Sequence, residues 1–207
     1  MKVERFVVGI LSTNCYLVIN EETKETVVID PGACPSYLVS HIKSEELTVT
    51  AILLTHGHFD HMMGLTGFLE EWDTPVYVHE GDEEIMTDPR VNQSAIYTSG
   101  YTFDKARYLR DRQTLECAGY VFEVIHTPGH TKGGCCYYVE SEGVLFSGDT
   151  LFQGSVGRAD FSNSNMSDLV HSVRERLFRL PEDTLVYPGH MGETKIGHEK
   201  KYNPYIQ

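Results

Sequence analysis

Apolar and polar positions alternate along this chain in short bursts, and most bursts end at a turn residue. Val3–Ile10 and Cys15–Ile19 read as strands around a short polar turn, and the β-branched run Thr26–Asp30 stops at Pro31-Gly32. Leu38, Val39 and Ile42 recur at helical spacing, which predicts a helix over Ser36–Ser44. Val49–Thr55 is a buried-looking strand, Gly64–Trp72 a helix and Pro75–His79 a further strand. Residues 82–105 mix Asp, Pro, Asn, Ser and Gly with Tyr97, Tyr101 and Phe103. They fit a helix and a loop whose aromatics either cover a pocket or tuck onto the core. Strands recur over Gln113–Cys117, Tyr120–His126, Cys135–Glu140 and Val144–Ser147. Met166–Leu180 is amphipathic, with Leu169, Val170, Val173, Leu177 and Leu180 on one face, and Thr184–Tyr187 is a last strand. This order implies two similar halves in an α+β fold, with sheet packed on sheet and helices outside, in one domain over residues 1–207.

The bulk numbers narrow the function. Hydrophobic residues make up 41% and charged residues 23%, a globular balance. The net charge of -13 would repel a phosphate backbone, which argues against nucleic-acid partners. No apolar run reaches about 18 residues, so no membrane span is expected. Five cysteines without a CxxC pair fit neither a secreted disulfide framework nor a Cys-rich zinc site, and a reducing cytoplasm is the expected setting.

The chemistry concentrates in Thr55-His56-Gly57-His58-Phe59-Asp60-His61, which follows a buried strand and precedes a helix. In a helix His56 and His58 would lie about 200° apart. In an extended loop alternate residues point the same way, so the two can hold one ion while Asp60 and His61 hold another. Two ions need further ligands. His130 (in HTPGH), Asp149 (in FSGDT) and His190 (in YPGH) each follow an apolar strand and a glycine. The expected sets are His56, His58 and His130 for one ion, and Asp60, His61 and His190 for the other, with Asp149 bridging. Imidazole and carboxylate without thiolate suit two Zn²⁺ ions per chain and tolerate Fe or Mn. Metals about 3.5–4 Å apart share a water whose pKa falls to about 7, giving a hydroxide that attacks a carbonyl carbon. Asp60 would both ligate and orient it. His79 and His126 are expected to support loops, His41, His171 and His198 to lie at the surface, and Cys135-Cys136 to pack in a strand.

The T-H-x-H-x-D-H segment, with the later His, Asp and His, resembles the metallo-β-lactamase superfamily. The resemblance runs from Asn14-Cys15-Tyr16 and Asp30-Pro31-Gly32 to the C-terminus. It implies a four-layer αββα sandwich with a dimetal site at one edge of the sheets, and it makes Asp30 a structural neighbour rather than a ligand. An aspartate at 149, where antibiotic-cleaving members typically carry cysteine, argues against a β-lactamase. HTPGHT (His126–Thr131), GDTLF (Gly148–Phe152), GRAD (Gly157–Asp160) and PGH (Pro188–His190) look like the short glyoxalase II group, whose longer members add a C-terminal helical extension. That resemblance implies hydrolysis of a thioester such as S-lactoylglutathione. A substrate-binding Lys of the longer enzymes falls at Arg158, which could still meet a carboxylate. A nearby Tyr falls at Asp160, and another, just after the last His, is missing. The competing readings are a mononuclear-iron persulfide dioxygenase with His56, His130 and Asp149 as its triad, and a lactone or small-ester hydrolase on the same site.

Overall fold

The computed structural model describes residues 1–206. The first half forms a six-stranded sheet, from β1 (Lys2–Val8), β2 (Thr13–Ile19), β3 (Glu25–Ile29), β4 (Thr48–Leu53) and β5 (Val76–His79) to β6 (Arg107–Leu109), in that spatial order. β1, β2 and β3 pair antiparallel, and β3 to β6 run parallel. Helices α1 (Ser36–Ser44), α2 (Phe59–Met62), α3 (Leu65–Glu71), α4 (Glu83–Thr87) and α5 (Ser94–Tyr97) lie in the connections. The second half forms the other sheet from β7 (Thr114–Cys117), β8 (Tyr120–His126), β9 (Cys135–Val139), β10 (Val144–Gly148), β13 (Leu185–Pro188) and β14 (Thr194–Lys195), in the order β14-β13-β10-β9-β8-β7. β11 (Leu151–Phe152) and β12 (Ser155–Val156) form a small hairpin, followed by α6 (Met166–Glu175) and, after β14, α7 (Ile196–Tyr202).

The alternation in β2 explains the layering. Every residue of β2 is buried, because both of its faces are covered. Cys15, Leu17 and Ile19 pack outward with Leu38 and Ile42 of α1 and with Leu65 and Phe68 of α3. Tyr16 and Val18 point the other way, into a core shared with Val27, Ile29 and Leu53 and with Phe122, Val124, Tyr137 and Phe146 of the second sheet. On the far side, Ile125, Cys136, Leu145 and Val186 pack against Leu169 and Val173 of α6. The result is the expected αββα sandwich. Each of these large side chains contributes about 1.5–3 kcal/mol by leaving water.

Several boundaries differ from the sequence reading for local reasons. α6 ends at Glu175, and Leu177–Arg179 is a single 3₁₀ turn that carries the apolar stripe onward. Asn165 starts α6 by accepting from the amides of Ser167 and Asp168. The 82–105 stretch contains α4 and α5. Tyr101 and Phe103 pack against the outer core, whereas Tyr97 stays half exposed and stacks on Phe59 at 5.0 Å. Both readings of those aromatics therefore apply, to different residues. No helix of the described residues is long and apolar enough to cross a membrane.

Candidate metal centre

The two sheets are stitched together along one edge, and the candidate ligands emerge there. The Asn14 amide donates to the Gly189 carbonyl (2.8 Å), the Tyr16 hydroxyl to that of Pro188 (2.6 Å) and the Tyr137 hydroxyl to that of Leu54 (2.7 Å). Past the ends of β4, β8, β10 and β13 the chain presents His56–His61, His130, Asp149 and His190 in turn. The structure changes one detail. The chain bends at Thr55-His56 and is extended at His58, and Phe59–Met62 is the helical turn α2, so Asp60 and His61 are presented from a helix. The backbone of Asp60 lies so close to Gly32 that a Cβ there would overlap the Asp60 carbonyl. Glycine at 32 therefore lets the 30–32 turn support the ligand segment.

The sequence-assigned side chains converge as two trios. Ligand-type atoms of His56, His58 and His130 lie within 4.8 Å of one another, as do those of Asp60, His61 and His190. Asp149 reaches both, with Oδ1 3.4 Å from His61 Nε2, and Oδ2 3.5 Å from His130 Nε2 and 3.6 Å from His190 Nε2. His56, His58, Asp60, His61 and His130 are buried. His56 Nε2, His61 Nε2 and Asp149 Oδ1 are buried with no hydrogen-bond partner among the described residues. Orphaned buried polar atoms are costly, and a cation at each trio would satisfy them. His58 Nδ1 and His130 Nε2 meet at 2.9 Å, as two lone pairs aimed at one point would. The donor set thus fits two divalent cations.

A second layer fixes the rings. His56 Nδ1 lies 3.1 Å from the Thr55 hydroxyl, which donates to Asp30 (2.7 Å). His61 Nδ1 lies 3.0 Å from Asp30 Oδ2, and His130 Nδ1 donates to the Arg158 carbonyl (2.7 Å). The Thr13 hydroxyl donates to Asp60 Oδ2 (2.9 Å). Asp30 does this from a left-handed backbone (φ 51°), uncommon for a non-glycine. Such contacts select one tautomer and leave the other nitrogen to face the site.

The electrostatics of the cluster are those of a cation site. Burial pushes His56 and His58 well below the usual imidazole range, so both are neutral and hold free lone pairs. Burial acts on His61 in the same sense, but the carboxylates of Asp60, Asp30 and Asp149 outweigh it and lift His61 to about 10. Burial would raise Asp60, yet the imidazoles of His61, His190 and His58 hold it well below the carboxylate range. A proton on His61 thus supplies positive charge that metal binding would displace.

Sequence reasoning missed Asp82, which is fully buried. Its Oδ2 accepts from the Gly57 amide (2.8 Å) and the Thr131 hydroxyl (2.9 Å), and its Oδ1 from the Gly133 amide (2.6 Å). One carboxylate thereby ties the His56–His58 loop to the loop after His130. No local pattern marks it; it sits among other acidic residues at the start of the irregular stretch.

His79 and His126 bind the neighbouring loops. Their rings stack at 4.0 Å and 8°, His126 Nε2 lies 2.9 Å from the Lys132 carbonyl, and His79 Nδ1 accepts from the Gly81 amide. Burial, and then the nearby His126, lower His79 from 6.5 to about 4. Above pH 6.5 folded and unfolded chains agree; below it the unfolded chain binds a proton that the folded one refuses. Stability should therefore fall as pH drops from 6.5 to 4, by about 1.4 kcal/mol per unit and about 3 kcal/mol in all. His79→Asn keeps an acceptor for Gly81 but cannot titrate. Urea unfolding across that window should give the variant a shallower acid slope, and equal slopes would refute the assignment to His79.

A cavity of about 340 Å³ opens over the trios, with His58, Asp60, His130, Asp149 and His190 facing it. Arg158 also lines it, but its guanidinium is engaged by Asp160, with Nε and Nη2 donating to the two carboxylate oxygens at 2.9 Å each. A substrate carboxylate meets a fork already in use, which qualifies the role expected for Arg158.

An αββα sandwich with paired His/Asp trios at one sheet edge defines a metallohydrolase-type scaffold. The chain belongs to the Metallo-beta-lactamase superfamily, whose profile matches residues 8–190. It is 37% identical to the "Probable metallo-hydrolase YqgX" of Bacillus subtilis, covering all of this chain and 98% of that one. It is 30% identical to "Hydroxyacylglutathione hydrolase GloC" of Haemophilus influenzae, covering 100% and 98%. Among solved structures, BLEG-1, described as a B3 metallo-beta-lactamase, superposes with a TM-score of 0.93 at 38% identity over 99% of both chains. TTHA1623 in a di-iron-bound form gives 0.83 at 36% over 98% and 99%. ETHE1 from Myxococcus xanthus gives 0.79 at 29% over 99% and 84%.

Proposed function

We propose that the chain is a metal-dependent hydrolase that cleaves a small-molecule thioester, with S-lactoylglutathione as the reference substrate, to a hydroxy acid and a free thiol. The observation that carries this reading is the convergence of the two trios, with Asp149 between them, on the floor of one open cavity. His56, His58 and His130 would hold one cation and Asp60, His61 and His190 the other, with Asp149 reaching both. Zn²⁺ suits these donors, and Fe or Mn is tolerated. Bound there, the ions supply Lewis acidity that brings the pKa of a water to about 7 and polarises a carbonyl.

The chain's own residues position the reactants. Asp60 Oδ2, fixed by Thr13, orients the attacking water by accepting one of its protons in a hydrogen bond. His130, fixed through the Arg158 carbonyl, and His190 frame the open side. Overall, the water oxygen bonds to the acyl carbon, the C–S bond breaks, and the sulfur leaves with the electron pair and takes up a proton. Among the described residues lining the cavity there is no Lys or Glu to serve as a general acid. A thiol of pKa about 8.5 leaves without one, whereas an amine would not, which favours a thioester over an amide. The similarity to GloC, named a hydroxyacylglutathione hydrolase, supports the same reading.

The test is steady-state hydrolysis of S-D-lactoylglutathione by zinc-reconstituted protein, with a lactone, a simple ester and a β-lactam alongside. A kcat/KM above about 10⁴ M⁻¹s⁻¹ for the thioester is the expected result. A higher value for another substrate moves the assignment there. One iron per chain with thiol-dependent O₂ uptake would replace the hydrolase with a dioxygenase.

A further inference from the structure

His190 is held differently from the other site imidazoles. The Nδ1 atoms of His56, His61 and His130 meet Thr55, Asp30 and the Arg158 carbonyl, groups outside the set of ligands. The polar contacts of the His190 ring, to Asp60 (3.3 Å) and Asp149 (3.6 Å), are with the site itself. Its placement therefore depends on its backbone. A Cβ at Gly189 would overlap Asp149 Oδ1 and the His61 ring, so this loop lies directly against two other ligands. Met191 has a left-handed backbone (φ 68°), which a non-glycine keeps only where its surroundings dictate it, and its side chain is exposed.

Asn14, buried near the start of β2, supplies the hold. Its Nδ2 carries two donors and gives one to the Pro188 carbonyl (2.9 Å) and one to the Met191 carbonyl (3.0 Å). Its backbone amide donates to the Gly189 carbonyl between them. Thr13, next to it, holds Asp60. The trio of His56, His58 and His130 is fixed instead through Thr55, Asp82 and the Arg158 carbonyl. We propose that Asn14 is a positioning residue for one trio only: by gripping the chain on both sides of His190 it sets the affinity for the cation of Asp60, His61 and His190 and leaves the other cation unaffected. The inference rests on the two-cation reading of the site and is independent of the substrate.

The test titrates zinc, in competition with a chelator, into the metal-free full chain and resolves two binding steps. In Asn14→Ala one step should loosen about 10–100-fold while the other stays within about threefold. In a His190→Ala background, adding Asn14→Ala should change the remaining step by less than about threefold, because the residue acts through His190. Tyr16→Phe removes the hydroxyl that also donates to the Pro188 carbonyl but leaves the Met191 carbonyl held. It should lower the Tm of the metal-free protein without the selective loss. Asn14→Ser, which keeps one donor on a shorter side chain, should lie between parent and Asn14→Ala and serves if the alanine variant does not fold. Unchanged affinities, equal loosening of both steps, a full effect in the His190→Ala background, or the same selective loss in Tyr16→Phe would each overturn the proposal. A parent that binds one ion only would overturn the two-cation reading with it, whereas two-step binding without the selective loss defeats this inference alone.

Discussion

Asp149→Ala should leave the chain folded while metal content falls from two ions to one or fewer and hydrolysis drops by at least about 10³-fold, roughly 4 kcal/mol of transition-state stabilisation. The reason is its position. Asp149 is the single carboxylate within 3.4–3.6 Å of nitrogens from both trios, His61 and His190 on one side and His130 on the other. Truncating it removes the anion that offsets two cations placed close together. What remains is five imidazoles with Asp60 and Asp30, a poorer match for four positive charges. The fold should tolerate the change, because Asp149 belongs to none of the apolar layers and its side chain is partly exposed. Elemental analysis of the purified variant measures loading, and urea unfolding of the metal-free forms should agree within about 1 kcal/mol. Two tightly held ions and full activity in Asp149→Ala would remove the assigned site.

The second large effect is expected at a residue that faces no substrate. Asp82→Ala strips the acceptor from three donors, the Gly57 and Gly133 amides and the Thr131 hydroxyl, in a place water does not reach. Unpaired buried donors cost about 1–3 kcal/mol each, and partial relaxation brings the expected loss to about 3 kcal/mol. The same contacts set the distance between the His56–His58 loop and the loop after His130, so metal affinity should fall about 10–100-fold. Burial, opposed only in part by the three donors, raises the Asp82 carboxyl. A neutral amide is therefore a tolerable substitute: Asp82→Asn keeps one acceptor oxygen and should lie between the parent and Asp82→Ala in both measurements. Zinc affinity by chelator competition and the apo Tm separate the roles. A lower Tm with unchanged zinc affinity would make Asp82 a purely structural clamp.

The contrast between these two residues marks how far the sequence carries. Asp149 was legible because it repeats a local pattern, an apolar strand, a glycine and a ligand, seen also at His130 and His190. The layers were legible from the order of strands and helices along the chain and from the helical stripes of α1 and α6. Asp82 had no such signal, because its role comes from donors 25 to 51 residues away. The α2 turn had no signal for a related reason: it is four residues long, too short for a helical period, and it packs closely on Gly32 of a distant turn. β6 has only Leu109 buried, and β11, β12 and β14 are two residues long, too short for any period to emerge. The Arg158–Asp160 fork illustrates the opposite error. The sequence marks Arg158 as a cation near the site, but the pairing of its guanidinium with Asp160 two residues on shows only in the fold.

The division of the two trios between the two sheets also sets a clock on the ribosome. His56, His58, Asp60 and His61 are made early, but His190, at the end of β13, follows roughly 130 residues later, on the order of ten seconds at ordinary elongation rates. Until β13 has docked beside β10, the nascent chain holds an unfinished pair of trios and can bind at most part of its metal. Any activity that needs both trios thus waits until the second sheet has closed on the first.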